Sequence, residues 1–261
     1  MTSWSFVALV FFSVAIPVAA QNDTTPPVVR SRAPVPFNVG ERAEYSLKYG
    51  IIPAGTGVTE VLGVDSVRGH EVWHTLFRVV GGVPGYRIND RFESWIDTRT
   101  LSSLRHRQEQ HEGSRERERQ FEIFPEEKVY IENDREPLPT VEAPLDDGSF
   151  LYFIRTIPLE VGQEYSFDRY FRPDRNPVRI IVLRRERVTV PAGTFNAIVI
   201  RPIIKTRGVF SENGRAEVWL SDDSARVLIQ IKSRLKFGSI NLYLKSYRPA
   251  SRPDSLPTVS P

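Results

Sequence analysis

Four histidines, His70, His74, His106 and His111, are the residues of this chain best suited to bind a metal or move a proton. A spacing of four would put His70 and His74 on one face of a helix, where two imidazoles can share a zinc ion. They flank Trp73 in β-like sequence, however, and four strand residues separate two side chains by about 13 Å, too far for one metal. His106 and His111 lie five apart, so a regular strand points them to opposite faces. Only a turn at Glu112-Gly113-Ser114 would bring them together. No metal site is expected. Three carboxylate pairs, Glu126-Glu127, Asp146-Asp147 and Asp222-Asp223, sit beside turn-forming residues, where adjacent acids are ordinarily solvated, and nothing marks them as an acid–base pair.

The sequence holds no Gly-x-Ser-x-Gly elbow, no P-loop, no dinucleotide fingerprint and no His-Glu-x-x-His. Cysteine is absent, which excludes disulfides, thiolate metal sites, a cysteine nucleophile and a lipid-anchor cysteine. No cofactor is expected and no catalytic residue is assigned. A stretch at 105–119, RHRQEQHEGSRERER, carries five Arg and four Glu around Gly113. It reads as an exposed hairpin with cross-strand ion pairs. The near-neutral balance and the lack of interleaved aromatics speak against nucleic acid; an anionic partner surface is the second reading.

Trp95 and Trp219 are the ligand-groove candidates. Each shares a strand face with the Glu two residues before it, Glu93 or Glu217. The opposite face carries Phe92 and Ile96, or Val218 and Leu220. Apolar content on both faces favours two core tryptophans in strands covered on both sides. The sharper reading is a concave sheet whose Trp face lines an apolar groove.

The elements that would position these residues are strands. The 261 residues are 40% hydrophobic and 26% charged, with a net charge of +3, which suits a globular core and does not by itself call for a polyanion. Strand-length alternating or β-branched runs occur at 43–49, 179–183, 198–204, 217–220 and 227–231. Turn signals fall between them: Val190-Pro191-Ala192-Gly193 fits a type I turn, and Asn213-Gly214 is a strong hairpin signal. This spacing predicts an antiparallel all-β protein. One segment differs. Asp146 or Asp147 can cap a helix that presents Phe150, Phe153, Ile154 and Ile157 at helical spacing, which predicts a short helix near 146–157 between two β halves; a buried strand is the alternative.

The halves look alike. Asn89-Asp-Arg91-Phe-Glu93-Ser-Trp95-Ile96 matches Asn213-Gly-Arg215-Ala-Glu217-Val-Trp219-Leu220 at an offset of 124, and the turns after Val64 and Val188 align at the same offset. The reading is a duplicated unit, about 37–140 and 158–247, that either curls as one long sheet or closes as barrel-like lobes. Proline-rich segments at 21–36 and 248–261 are expected to be an extended linker and tail. Residues 7–18 form an apolar run too short to span a bilayer, followed by Val18-Ala19-Ala20. That pattern predicts a signal peptide over 1–20, cleaved before Gln21, and a periplasmic or secreted product.

Several landmarks in order resemble a bacterial exported family, the domain of unknown function 3108. They are Phe37-Asn-Val-Gly40-Glu41, Tyr45, Ala54-Gly55, Phe92-Glu-Ser-Trp-Ile-Asp97, Leu151-Tyr-Phe-Ile-Arg155, Val190-Pro-Ala-Gly-Thr-Phe195 and Glu217-Val-Trp-Leu-Ser-Asp222. The resemblance covers about 37–247 and implies a secreted or periplasmic β-rich protein. It carries over no catalytic residue. The Trp-plus-Asp strand ends are also similar to those of curved half-barrel lipoprotein carriers. The expected function is non-catalytic binding of an envelope partner protein or a lipid-like apolar ligand; the alternative is a hydrolase of an envelope polymer.

Overall fold

The computed structural model describes residues 32–205, 216–234 and 239–250. The expected signal peptide, most of the linker, the Asn213-Gly214 turn and the tail beyond 250 lie outside them. Fourteen strands form one antiparallel sheet. The chain first lays down β1 (Arg42–Tyr49), β2 (Ile52–Val67), β3 (His70–Val83), β4 (Tyr86–Asp97), β5 (Ser103–Glu112), β6 (Arg115–Phe124), β7 (Val129–Glu132) and β8 (Leu138–Pro139) as a meander. After a helix, α1 (Ser149–Phe153), a second meander follows: β9 (Glu164–Phe167), β10 (Val178–Val190), β11 (Gly193–Ile203), β12 (Glu217–Ser221), β13 (Leu228–Arg234) and β14 (Ser239–Arg248). β14 pairs with β1, so the two meanders become one sheet with β8 and β9 as its edges. Of the two arrangements open at the level of sequence, the curled single sheet is the one found.

Local sequence explains the hairpins and the curl. Arg68 and Gly69 both take positive φ (49° and 79°), which makes the β2–β3 link a two-residue turn whose twist matches that of its strands. Gly55 and Gly81 face each other across β2 and β3, and a Cβ on either would run into the opposite backbone, so only glycine permits this approach. Six strand pairings carry register shifts, among them those after Trp95 and after Trp219. Bulges of this kind add local twist and bend a sheet.

The inner face of the curl carries Tyr45 and Leu47 of β1, Phe121 and Ile123 of β6, Val218 and Leu220 of β12, and Leu242 and Leu244 of β14. These pack with Phe150, Leu151 and Ile154, and every residue of α1 is buried. The residue that caps α1 is Gly148, with no side-chain cap bond, rather than Asp146 or Asp147; the Asp146 carboxylate instead accepts from the backbone N–H of Gly148 (2.7 Å) and Ser149 (2.9 Å) in the turn that leads into the helix. The helix is shorter than the 146–157 expected. Pro158 disfavours helical backbone at Ile157, and the chain leaves α1 through turns.

Side chains and two loops fill the seam between the sheet edges. Leu145 bridges Tyr170, Phe171 packs edge-on against Phe121 (5.1 Å) and Tyr130 (5.2 Å), and Arg172 pairs with Glu132 (2.9 Å). Residues 32–36, within the Pro-rich stretch, run along the sheet: Ala33 N–H donates to the Thr98 carbonyl (2.8 Å) and Arg32 pairs with Glu71.

Candidate functional site

A row of rings crosses the inner face. Phe77 on β3 stacks near Phe92 on β4 (6.0 Å), Phe92 near His106 on β5 (6.5 Å), and His106 near Phe121 on β6 (5.8 Å). His106 and Phe121 are buried, whereas Phe77, Val79 and Phe92 are half-buried, at or beyond the margin of the main core. Alternation along each strand puts these residues on one face, and the pairings Phe77↔Phe92, Phe92↔Gln108 and Gln108↔Arg119 continue the row into polar groups.

Beneath the row lies a Ser–His–Asp grouping that sequence reasoning missed. Ser94, His106 and Asp146 are almost fully buried, the last two with no exposed surface. Their hydrogen bonds are not those of a nucleophile relay. The Ser94 hydroxyl donates to Asp146 Oδ1 (2.6 Å) rather than to the imidazole. His106 Nδ1 sits 2.8 Å from the Glu93 carbonyl oxygen, and Nε2 faces the Gln108 side-chain amide at 2.8 Å. An active serine needs its proton aimed at the base and room for a substrate. Neither condition is met, so the grouping anchors β4 and β5 to the start of α1. No sequence signal announces it: the three residues lie 12 and 40 positions apart on separate elements.

From Gln108 the polar network turns outward. Gln108 Nε2 donates to Asp147 Oδ2 (3.0 Å), the Tyr170 hydroxyl donates to Asp147 Oδ1 (2.8 Å), and Arg175 donates to the Tyr170 oxygen (3.0 Å). Arg119 and Arg172 both lie against the Phe121 ring, at 5.8 and 5.3 Å from its centre. Of the ten buried side-chain polar atoms that lack a partner among the described residues, four belong to these neighbouring residues: Gln108 Oε1, Asp146 Oδ2, Arg119 Nε and Arg172 Nε. Buried polar groups are nearly always satisfied, so orphans gathered at one place mark it as the candidate site.

A model of the family described as "Protein of unknown function (DUF3108)" matches residues 44–245, from within β1 to within β14. The chain belongs to the DUF3108 family. No curated protein matches it. Among solved structures, a beta-barrel-like protein of the domain of unknown function DUF1849 from Brucella abortus is 10% identical, covering 84% of this chain and 100% of that one, with a TM-score of 0.53. That likeness shows the fold alone. A chain from Parabacteroides distasonis described provisionally as a lipoprotein is 13% identical over 82% of this chain and 98% of that one, with a TM-score of 0.32. Among the described residues no helix is long and apolar enough to cross a membrane.

In this DUF3108 protein Trp95 is 8% exposed and Trp219 is 4% exposed. Both lie on the face opposite the aromatic row. Trp95 stacks on His74 (4.3 Å) and donates from Nε1 to Asp65 Oδ2 (3.3 Å); Trp219 donates to Glu186 Oε1 (2.6 Å) beneath Arg184 and Lys232. His70 bonds the Asp97 carboxylate (3.0 Å), and His111 Nδ1 lies 3.3 Å from the Asn89 carbonyl. The 105–119 stretch forms the β5–β6 hairpin, with Arg107 between Glu109 (2.9 Å) and Glu118 (2.8 Å). Of the carboxylate pairs, Glu126 and Glu127 are exposed in a turn, Asp223 caps the β12–β13 turn, and Asp146 and Asp147 belong to the buried network.

One carboxyl on the inner face is strongly perturbed. Asp90, opposite Val79 and bonded by the His111 N–H (3.1 Å), is pushed up to about 6, first by burial and then by the charge of Glu112. A raised carboxyl opposes folding once it ionises. Its neutral form costs nothing below the unfolded value near 4, and stability falls as pH rises from there through about 6. Asp90→Asn keeps the acceptor for His111 and removes the charge. It should stabilise the protein by up to about 2 kcal/mol at pH 7.5, after partial solvent screening, and by almost nothing at pH 4. Urea midpoints of both proteins at the two pH values check this; an equal gain at both would contradict the assignment.

Proposed function

We propose that this DUF3108 protein is an exported envelope protein that binds an apolar ligand on the inner face of its curled sheet and performs no chemistry on it. The observation that carries the reading is the half-buried tract of Phe77, Val79 and Phe92, apolar surface left at the margin of the main core on the inner face. The apolar run at 7–18 with Val18-Ala19-Ala20 supports export. The hydrolase alternative gains no support from Ser94, His106 and Asp146, whose hydrogen bonds and burial leave no nucleophile exposed.

Duplication of a β unit is part of the same reading. Trp95 and Trp219 stand on the third strands of equivalent meanders, β2–β3–β4 and β10–β11–β12. Each precedes a bulge and sends its indole N–H to a carboxylate two strands away. The test of export and binding is native mass spectrometry of the protein taken from its own host. The expected species begins at or near Gln21 and carries a bound apolar molecule. A chain that keeps Met1, or a ligand-free mass under gentle ionisation, would overturn the corresponding half of the proposal.

A further inference from the structure

Arg119 is unusual among the arginines of the inner face. It projects from β6 beside Gln108; among the described residues its side chain makes one hydrogen bond, to Gln110 Oε1 (3.2 Å), and no ion pair. Its Nε is buried and has no acceptor among the described residues. The carboxylates near it are already engaged: Glu132 by Arg172, and Asp147 by Gln108 and Tyr170. Burial, followed by the charges of Arg117 and Arg172, holds its pKa below the ordinary arginine value. A bound anion would relieve that penalty, and a guanidinium fork fits a carboxylate or a phosphate through two parallel hydrogen bonds. Arg172, 5.3 Å from the centre of the same Phe121 ring, also has an Nε without an acceptor among the described residues.

We infer that Arg119, supported by Arg172, forms an anion site that takes the carboxylate or phosphate head of the ligand, while the ligand's apolar part runs across the strands over Phe92 and Phe77. Only the apolar part of this inference rests on the function proposed above. The register gives the path. Arg119, Gln108, Phe92 and Phe77 stand opposite one another on four neighbouring strands, a span of about 14 Å at normal strand spacing. The ligand is thus an anionic amphiphile with its long axis perpendicular to the strands.

Calorimetric titration of the full chain with dodecanoate, dodecyl phosphate, dodecanol and inorganic phosphate tests both parts. Dodecanoate and dodecyl phosphate should bind at least about tenfold more tightly than dodecanol, the scale of one charge-assisted hydrogen bond, and added salt should narrow the gap. In Arg119→Gln the gap should close, and a melting midpoint like that of the wild type shows that the variant is folded. Arg119→Lys should keep part of it. Equal affinity of the wild-type protein for all three amphiphiles would overturn the anion site and leave the apolar reading standing. Binding of inorganic phosphate, lost in Arg119→Gln, with no gain from an alkyl chain would keep the anion site and overturn the apolar reading. Failure of all four probes would overturn both. A preference of dodecyl phosphate over dodecanoate, or the reverse, identifies the source of the head group.

Discussion

Arg155→Met should destabilise the protein by about 3–5 kcal/mol, the usual cost of stranding one member of a buried ion pair. Arg155 follows α1, and Glu41 directly precedes β1. The two form a forked pair at 2.6 and 3.0 Å, with side chains only 6% and 9% exposed. The remaining guanidinium donors reach the carbonyls of Ala225 (2.9 Å) and Pro36 (3.1 Å), and the Tyr247 hydroxyl donates to Glu41 (3.1 Å). The network therefore ties the helix to the first strand, the last strand and the β12–β13 turn. Burial alone would lower the Arg155 pKa, yet the hydrogen bonds and charge of Glu41 carry it above the ordinary value. Removing the guanidinium from beneath the Phe37 and Tyr152 rings leaves the buried Glu41 carboxylate with the Tyr247 hydroxyl as its side-chain donor among the described residues. Glu41→Gln should also be costly, because it leaves a buried cation facing carbonyls alone. The double variant Glu41→Gln/Arg155→Met should lose less than the sum of the single losses, by about 2 kcal/mol or more. Denaturant melts of the three variants check it; a single loss under about 1 kcal/mol would show that the pair is solvated in solution.

What the sequence reveals follows from the range of the forces involved. Strand positions and the existence of a short helix depend on near neighbours, so alternation at 43–49, the turn at Pro191-Ala192 and the helical spacing from Phe150 are all readable. The length of the helix is less so. Ile157 keeps the apolar spacing, yet Pro158 decides the backbone before it. Sites joined by the fold are scarcely readable. Arg119 looks like one charge among nine in an exposed hairpin until the 168–177 loop is seen to bring Arg172 against the same ring. Glu41 and Arg155 lie 114 positions apart. A trace of their pairing is nevertheless present: an arginine ending the apolar run Phe150-Leu-Tyr-Phe-Ile154 needs a counter-charge if the run is buried.

Trp95→Ala and Trp219→Ala should each cost about 3–5 kcal/mol, a large share of the 5–15 kcal/mol that usually holds a domain together. Trp219 belongs to the main core and Trp95 to a smaller cluster with Val67, Val72 and Leu104, so each truncation opens a void that strands on both sides cannot easily fill. The indole N–H bonds add less. Trp219→Phe keeps most of the apolar contact and gives up the bond to Glu186, for an expected loss near 1 kcal/mol. Because the two tryptophans hold equivalent places in the proposed repeat, their losses should be similar. A loss at one position several times that at the other would count against the duplication. Near-wild-type midpoints for both, with unchanged denaturant slopes, would remove the core assignment altogether. The indoles would then be surfaces kept for a ligand, and the apolar site would have to be sought on the outer face, between the cations that now cover them.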